Sequence, residues 1–500
     1  MTADRAQVGR KMARGGILMV LLRLVGRSMS LVSTIILARL LVPGDFGLVA
    51  LAMTLLGALE VTGRFGLDRA LIRHQQAGRE LYDTAWTLQL IRGGIMALIL
   101  ALTAGFWADF FDEDRLQSIL YVFALMALIK GFRNIGIVQF SRDLEFDPLF
   151  KLELRSQTGA AIASIVLALL WQSYWALILG VVVERTLLVA LSYTAHPHRP
   201  RLSLEGSRYL IHFSKWVMAN SIIVYLNRRS DVFILGKLAS VDVVGHYSIA
   251  KQLSTLASNE IASPAARAFY SGFARTATDL ERLRALYLST LAVLLLVGLP
   301  LAVGIACVGD LVIRVLFGEQ WLPAVPLLQI LVISGIVGMT VSNTAGVLQA
   351  LGRPELPAAL AAARFAILVP LMFWGFSAAG PIGVAWAVAI SAVVRLLLNA
   401  VVNSRLLGFS GARVASMTWR SVVSAGAMAG ALMLVRRHLP DFGPELLPAL
   451  AQLLTLIALG GAVYGVSCLS LWALSGLPHH AEWLVVSGLR HQLSRADSAA

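Results

Sequence analysis

Apolar stretches of about 20 residues recur along the whole chain, each bounded by a short polar segment, and that length matches the hydrocarbon thickness a helix must cross. The alternating pattern of a transmembrane barrel strand does not occur. The pattern predicts spans near residues 15–41, 46–61, 85–107, 116–138, 156–170, 174–194, 212–239, 243–264, 285–308, 323–349, 357–377, 382–403, 418–435 and 447–473. The chain therefore reads as an all-α polytopic membrane protein of about fourteen transmembrane helices. Its first two spans form a hairpin broken at Val42-Pro43-Gly44-Asp45, where proline and glycine end one helix and start the next.

That hairpin recurs. Ile36-Leu-Ala-Arg-Leu40, followed by Gly47, matches Ile234-Leu-Gly-Lys-Leu238, followed by Gly245. The offset is constant at about 198 residues, the spacing of a duplicated half rather than of a short repeat. The clearest break between the halves is His196 to Arg208, whose His-Pro-His-Arg-Pro-Arg run no helix continues through. These points divide the chain into an N-terminal lobe of six spans (1–195), a cytoplasmic linker (196–211) and a C-terminal lobe of six spans (212–404). Two extra transmembrane helices (405–476) and a polar cytoplasmic tail (477–500) follow. The linker is expected to be a flexible tether, with spans 1 and 7 facing each other across a cavity while one lobe rocks against the other.

With 58% of residues hydrophobic and 14% charged, the composition is not that of a soluble protein. The net charge of +14 invites a nucleic-acid reading, but the basic residues follow the membrane pattern instead. With the N-terminus inside, the inner loops hold roughly 24 Lys and Arg and the outer loops roughly 4, the bias that sets orientation. Both termini are then expected in the cytoplasm, and no nucleic-acid partner is expected. The longest outer loop is about 15 residues on this topology, too short for an external catalytic domain. Cys307 and Cys468 sit in apolar runs and read as buried free thiols. There is no P-loop, no H-E-x-x-H and no cysteine cluster, so no cofactor, metal or catalytic set is expected. His196, His198, His479 and His480 read as solvated interfacial side chains.

Charges inside the spans carry the functional question, because a cation near the bilayer centre costs about 2.5–3.5 kcal/mol on insertion scales. Arg23, Arg27, Ser30 and Thr34 fall on one face of span 1. Asn220, Asn227 and Asp231 share a face of span 7, with Arg228 beside them. In span 8, Lys251 lines up with Tyr247, Ser254 and Ser258. These faces predict a polar cavity in which Arg23, Arg27, Ser30, Thr34, Asn220, Asn227, Arg228 and Lys251 bind substrate. Guanidinium forks and amides suit an anion rich in hydroxyls, such as an amphiphile with a diphosphate headgroup and attached sugars. Asp231 and Glu60 are the candidate carboxylates for ion coupling. Arg39, Arg92, Lys130, Arg133 and Arg395 read as side chains that snorkel toward the headgroups. Glu184-Arg185 is balanced between a structural pair and a functional one.

Several stretches carry a resemblance. Ile36-Leu-Ala-Arg-Leu-Leu-Val-Pro-Gly-Asp-Phe-Gly47 and Gly66-Leu-Asp-Arg-Ala-Leu-Ile72 resemble the bacterial lipid-linked oligosaccharide flippases. So do Ser141-Arg-Asp-Leu-Glu-Phe146, Asp231-Val-Phe-Ile-Leu-Gly236 and Gly245-His-Tyr-Ser-Ile-Ala250. These flippases form the polysaccharide-transporter branch of the multidrug, oligosaccharidyl-lipid and polysaccharide exporter superfamily. The likeness covers about Arg10 to Arg275 and gives way to general hydropathy beyond. It implies two six-helix lobes in a V around a central cavity, with Arg23 and Arg27 at positions where relatives place cavity cations. It also implies alternating access that carries an undecaprenyl-diphosphate oligosaccharide across the bacterial inner membrane for exopolysaccharide or lipopolysaccharide synthesis. Membrane lipids and the polysaccharide polymerase machinery are the implied partners. An ion-coupled exporter of drugs or other amphiphiles is the alternative within the superfamily.

Overall fold

The computed structural model describes residues 25–62 (except 27), 67–73, 78–143, 145–205, 207–256, 272–353, 355–439 and 445–477, together with 258, 269 and 482; over 208–220 the description is of the backbone. No strand occurs among these residues. The first part of the chain runs through α1 (Ser28–Leu40), α2 (Pro43–Thr62), α3 (Leu67–Arg73), α4 (Arg79–Phe111) and α5 (Arg115–Gly131). It continues through α6 (Val138–Arg142), α7 (Phe146–Trp171), α8 (Trp175–Ala195), α9 (Ser207–Leu238) and α10 (Val241–Ser254). The second part holds α11 (Leu280–Cys307), α12 (Gly309–Leu316), α13 (Ala324–Ala350), α14 (Glu355–Leu407), α15 (Gly411–His438) and α16 (Leu446–Leu474).

Among the described residues nine helices are long and apolar enough to cross a membrane, and α5 with the turn and α6 beyond it form a tenth candidate bent by 65°. The 53 residues of α14 would span about 80 Å as one helix, far more than a bilayer needs. The helix breaks at Ala379 and Gly380, the latter at φ +57°, just before Pro381. The backbones of Gly375 and Gly383 then meet so closely that a β-carbon on either would collide with the other. These two arms coincide with the spans expected at 357–377 and 382–403. On α4 the division of faces is plain. Ile91, Ile95, Leu98, Leu102 and Phe106 are exposed, as suits a lipid-facing stripe, while Gly93, Met96, Leu100, Ala104 and Ala108 are buried against neighbours.

Contacts divide the chain into two compact units, Met1–Gly245 and His246–Ala500. This boundary falls within α10 and not at the linker, so span 7 groups with the first six. The physical reason is contact: α9 packs along α2 and α4. The hydroxyl of Tyr225 donates to the carbonyl of Thr54, and Gly236 lies against Leu51 and Phe111.

The linker interrupts the helices as its prolines require, but residues 196–205 do not hang free. Asp83, Thr84 and Thr87 form the first turns of α4, six residues earlier than hydropathy places the start of that span. The Asp83 carboxylate accepts from the Arg201 amide at 3.1 Å, and Thr87 Oγ1 accepts from the Ser203 amide at 3.0 Å. Thr84 donates to the Glu205 carbonyl at 2.6 Å. From the far side Asn134, fully buried, donates its amide to the carbonyls of His196 (3.4 Å) and His198 (2.8 Å) and caps the turn at Gly136. The expectation of solvated linker histidines is therefore corrected. His196 Nε2 lies 3.0 Å from the Gln139 side-chain oxygen, and His198 Nε2 lies 3.1 Å from Asp83. Burial pushes both imidazoles below the ordinary histidine range, with Asp83 partly opposing the effect at His198.

In the second unit, α15 and α16 pack on α11 and α12 through Val308, Leu311, Met428, Leu432, Leu453 and Leu456. The Tyr464 hydroxyl reaches the Leu296 carbonyl at 2.7 Å, and Arg436 pairs with Asp310 and donates to the Cys307 carbonyl. Buried Asn403 joins α14 to α11 and α13 by donating to Tyr287 Oη and Thr344 Oγ1, both at 2.9 Å. On α15, Arg420 meets Glu482 in a two-pronged pair at 2.7 and 3.0 Å, with both side chains almost fully buried.

Candidate functional site

Arg23, Arg27 and the Asn220 side chain lie outside the described residues. The remainder of the span 1 face is visible on α1, where Ser30 is exposed and Thr34 Oγ1 donates back to the Ser30 carbonyl at 2.8 Å. On α9, Asn227 Nδ2 donates to the Ile223 carbonyl at 3.0 Å. One turn on, Asp231 is buried and accepts the Val232 amide at 2.9 Å. Arg228 is exposed beside them. The amide and carboxylate of α9 thus share the face expected of them. Lys251, on α10, is half-buried with its ammonium 6.0 Å from the centre of the Tyr247 ring.

Around Glu60, a candidate carboxylate for ion coupling, the structure gathers charges that were not anticipated beside it. Glu60, near the end of α2, receives Lys130 of α5, with Nζ 2.6 Å from Oε1. Arg92 of α4 donates to the Glu60 carbonyl at 2.9 Å, and Arg185 of α8 lies within electrostatic reach of both Glu60 and Lys130. Lys130 and Arg92, expected to snorkel toward the headgroups, have these partners, and Arg133 reaches Asp68 at 3.5 Å. The signal available in the sequence was depth: under the charge-derived topology Glu60, Arg92 and Lys130 all fall in the same inner part of their spans.

The opposite end of the first unit, around the acidic turn 109–114, is held by aromatic packing and by close backbone approach. Phe233 of α9 lies edge-on to Trp107 at 6.0 Å and to Phe111 at 5.3 Å, and Lys237 pairs with Asp112 at 2.9 Å. The Arg115 guanidinium, bonded to Glu113, holds that carboxyl below its usual range. Beside this cluster the duplicated hairpins meet at their equivalent positions. A β-carbon on Gly47 would strike the carbonyl of Val241, and one on Gly245 would strike the carbonyl of Pro43. Val241 stands in the second copy where Pro43 stands in the first, so the contact is reciprocal, like that of a two-fold interface.

Long apolar helices that carry charged and amide groups inward define a polytopic α-helical membrane protein. The family described as "Polysaccharide biosynthesis protein" matches residues 36–326, and the chain belongs to that family. It is 26% identical over 447 residues to the succinoglycan biosynthesis transport protein ExoT of Rhizobium meliloti, covering 86% of this chain and 87% of that one. It is 22% identical over 376 residues to the lipopolysaccharide biosynthesis protein WzxC of Escherichia coli K12, covering 74% and 76%. A solved structure of the lipid II flippase MurJ, in an inward closed conformation, superposes with a TM-score of 0.74 at 13% identity over 91% of this chain and 99% of that one.

Proposed function

We propose that this protein is a transporter, not an enzyme, that flips an undecaprenyl-diphosphate oligosaccharide across the bacterial inner membrane for exopolysaccharide or lipopolysaccharide assembly. The observation that carries the reading is the near full-length likeness to a succinoglycan transport protein within a polysaccharide biosynthesis family. The excess of arginine and amide groups at membrane depth agrees with an anionic, hydroxyl-rich cargo. Export of hydrophobic cations would call for unoccupied carboxylates, and Glu60 is already engaged by Lys130.

Two six-helix lobes, joined by the linker and followed by two extra helices, would alternate access around Arg23, Arg27, Ser30, Thr34, Asn220, Asn227, Arg228 and Lys251. Both termini would lie in the cytoplasm, with the polymerase machinery receiving the product outside. A membrane potential positive outside favours outward movement of an anionic headgroup by about 2.3 kcal/mol per charge per 100 mV. Asp231 and Glu60 are the carboxylates through which an ion gradient would add to this. In a strain lacking the gene, Arg23→Ala and Arg27→Ala are expected to abolish polysaccharide export while inserting normally, and Arg27→Lys to restore it in part because an ammonium lacks the fork. Full export by both alanine variants would remove these arginines from the site.

A further inference from the structure

The linker strap is held to the first unit at every second residue. The amides of Arg201 and Ser203 donate to Asp83 and Thr87, and the carbonyl of Glu205 accepts from Thr84. In a segment with contacts at that period, residues 202 and 204 share one side. Both are leucines, both lie outside any helix, and Leu202 is 74% and Leu204 58% exposed. The backbone contacts thus hold two large apolar side chains outward.

The strap joins the end of α8 to the start of α9 and lies against the first turns of α4. Both α4 and α8 are long and apolar enough to cross a membrane, so the strap sits where such helices leave the bilayer. Rings gather at the same level. Trp86 of α4 lies edge-on to Phe132, just beyond α5, at 6.4 Å, and the Tyr193 hydroxyl of α8 donates to the Phe132 carbonyl at 2.7 Å. Tryptophan and tyrosine collect at the headgroup boundary, and leucines fixed outward beside them are placed to enter its apolar side.

The charges of the strap fit the polar side of that boundary. The Arg199 guanidinium lies 5.9 Å from the centre of the Tyr193 ring, and its Nη1 donates to the carbonyls of His196 and His198 at 2.9 and 3.1 Å. Neutral acceptors leave its charge in place, and its remaining N–H groups suit phosphate oxygens. Arg201 is exposed, and its amide rather than its guanidinium holds the strap. Residues 196–205 carry these two arginines against one acid, Glu205, while Asp83 beneath them is taken up by Arg79 and His198.

We propose that residues 199–204 form a docking surface for anionic phospholipid in the leaflet at the linker end. Leu202 and Leu204 enter the boundary of the acyl chains, and Arg199 and Arg201 take headgroup phosphates. The linker is then anchored to the leaflet and responds to its charge. This inference needs only that the chain spans a membrane and is independent of the cargo.

The test uses the full chain in nanodiscs of phosphatidylcholine, alone or mixed with phosphatidylglycerol. Hydrogen exchange of the amides of residues 202–205 is corrected for intrinsic rates. With phosphatidylglycerol present, where both chains meet the same surface pH, Arg201→Gln is expected to exchange about fivefold faster than wild type, the worth of one arginine at an anionic surface. In phosphatidylcholine alone the two should exchange alike. A difference that is absent, or equal in the two kinds of nanodisc, overturns the surface. The leucines are followed with a nitrobenzoxadiazole label on Leu204→Cys, in a chain carrying Cys307→Ala and Cys468→Ala. Blue-shifted emission and quenching by lipids brominated high on the acyl chain are expected, whereas emission as in water without quenching overturns the insertion. A label unquenched in nanodiscs but protected in native membrane vesicles makes a soluble protein the occupant and overturns the lipid assignment.

Discussion

At the linker end of the first unit, Asp83, Thr84, Thr87 and Asn134 hold an irregular strap of chain by hydrogen bonds to its backbone. At the acidic-turn end rings pack edge to face, two glycines let helix backbones touch, and Lys237 pairs with Asp112. The first arrangement satisfies polar groups that cannot be left buried and unpaired, and it fixes one geometry. The second depends on shape. Packed rings and close backbones depend on side-chain volume, so the two ends should answer differently to substitution.

The sharpest break of that contrast is at the glycine crossing. Gly47→Val and Gly245→Val are each expected to cut export more than about tenfold, since overpacking where backbone meets backbone costs about 1–3 kcal/mol or more. Because the contact is reciprocal, the double variant should be little worse than either single one. Gly426→Ala, where a β-carbon meets open space, serves as the matched control in the same export assay.

A smaller effect is expected at the other end. Asn134→Ala removes the donor to two linker carbonyls and the cap of Gly136, a loss of about 1–3 kcal/mol. It should appear as a lower thermal midpoint and faster proteolysis after Arg201, with export reduced less than in the glycine variants. Proteolysis unchanged from wild type would mean that the strap is held without Asn134.

The mildest effect is titration. His196 and His198 have folded-state values below the ordinary one, so the docked linker binds fewer protons than the free chain. Docking is then fully present above about pH 6.5, weakens as the pH falls through that value, and levels off below the lowered folded values. Hydrogen exchange of the linker amides, corrected for intrinsic rates, should speed up on acidification while that of the acidic-turn end does not.

Much of this architecture was legible beforehand. Val42-Pro43-Gly44 and Gly380-Pro381 mark the turns where they occur, because a fixed proline φ and a glycine at positive φ are local matters. The duplicated hairpin was legible too, as a matched offset. What the pattern could not give was neighbourhood. Nothing in α2 says that Lys130 will stand beside Glu60, and hydropathy begins span 3 at Ala85, which passes over Asp83 and Thr84, two of the groups that hold the linker. The arginine face of span 1 was found by periodicity, whereas the Arg92, Lys130 and Arg185 group requires four helices to be placed first.

The buried pair of Arg420 and Glu482 sets a rule for anyone who shortens or fuses this chain at its C-terminal side. Among the described residues the last long helix ends at Leu474, and a designer guided by helix boundaries would cut there. Such a cut takes away Glu482, the carboxylate that Arg420 meets, and removing one partner of a buried pair costs about 3–5 kcal/mol. A reporter domain joined beyond Glu482 leaves the pair whole, and a deletion that must go further should carry Arg420→Met or Arg420→Leu with it.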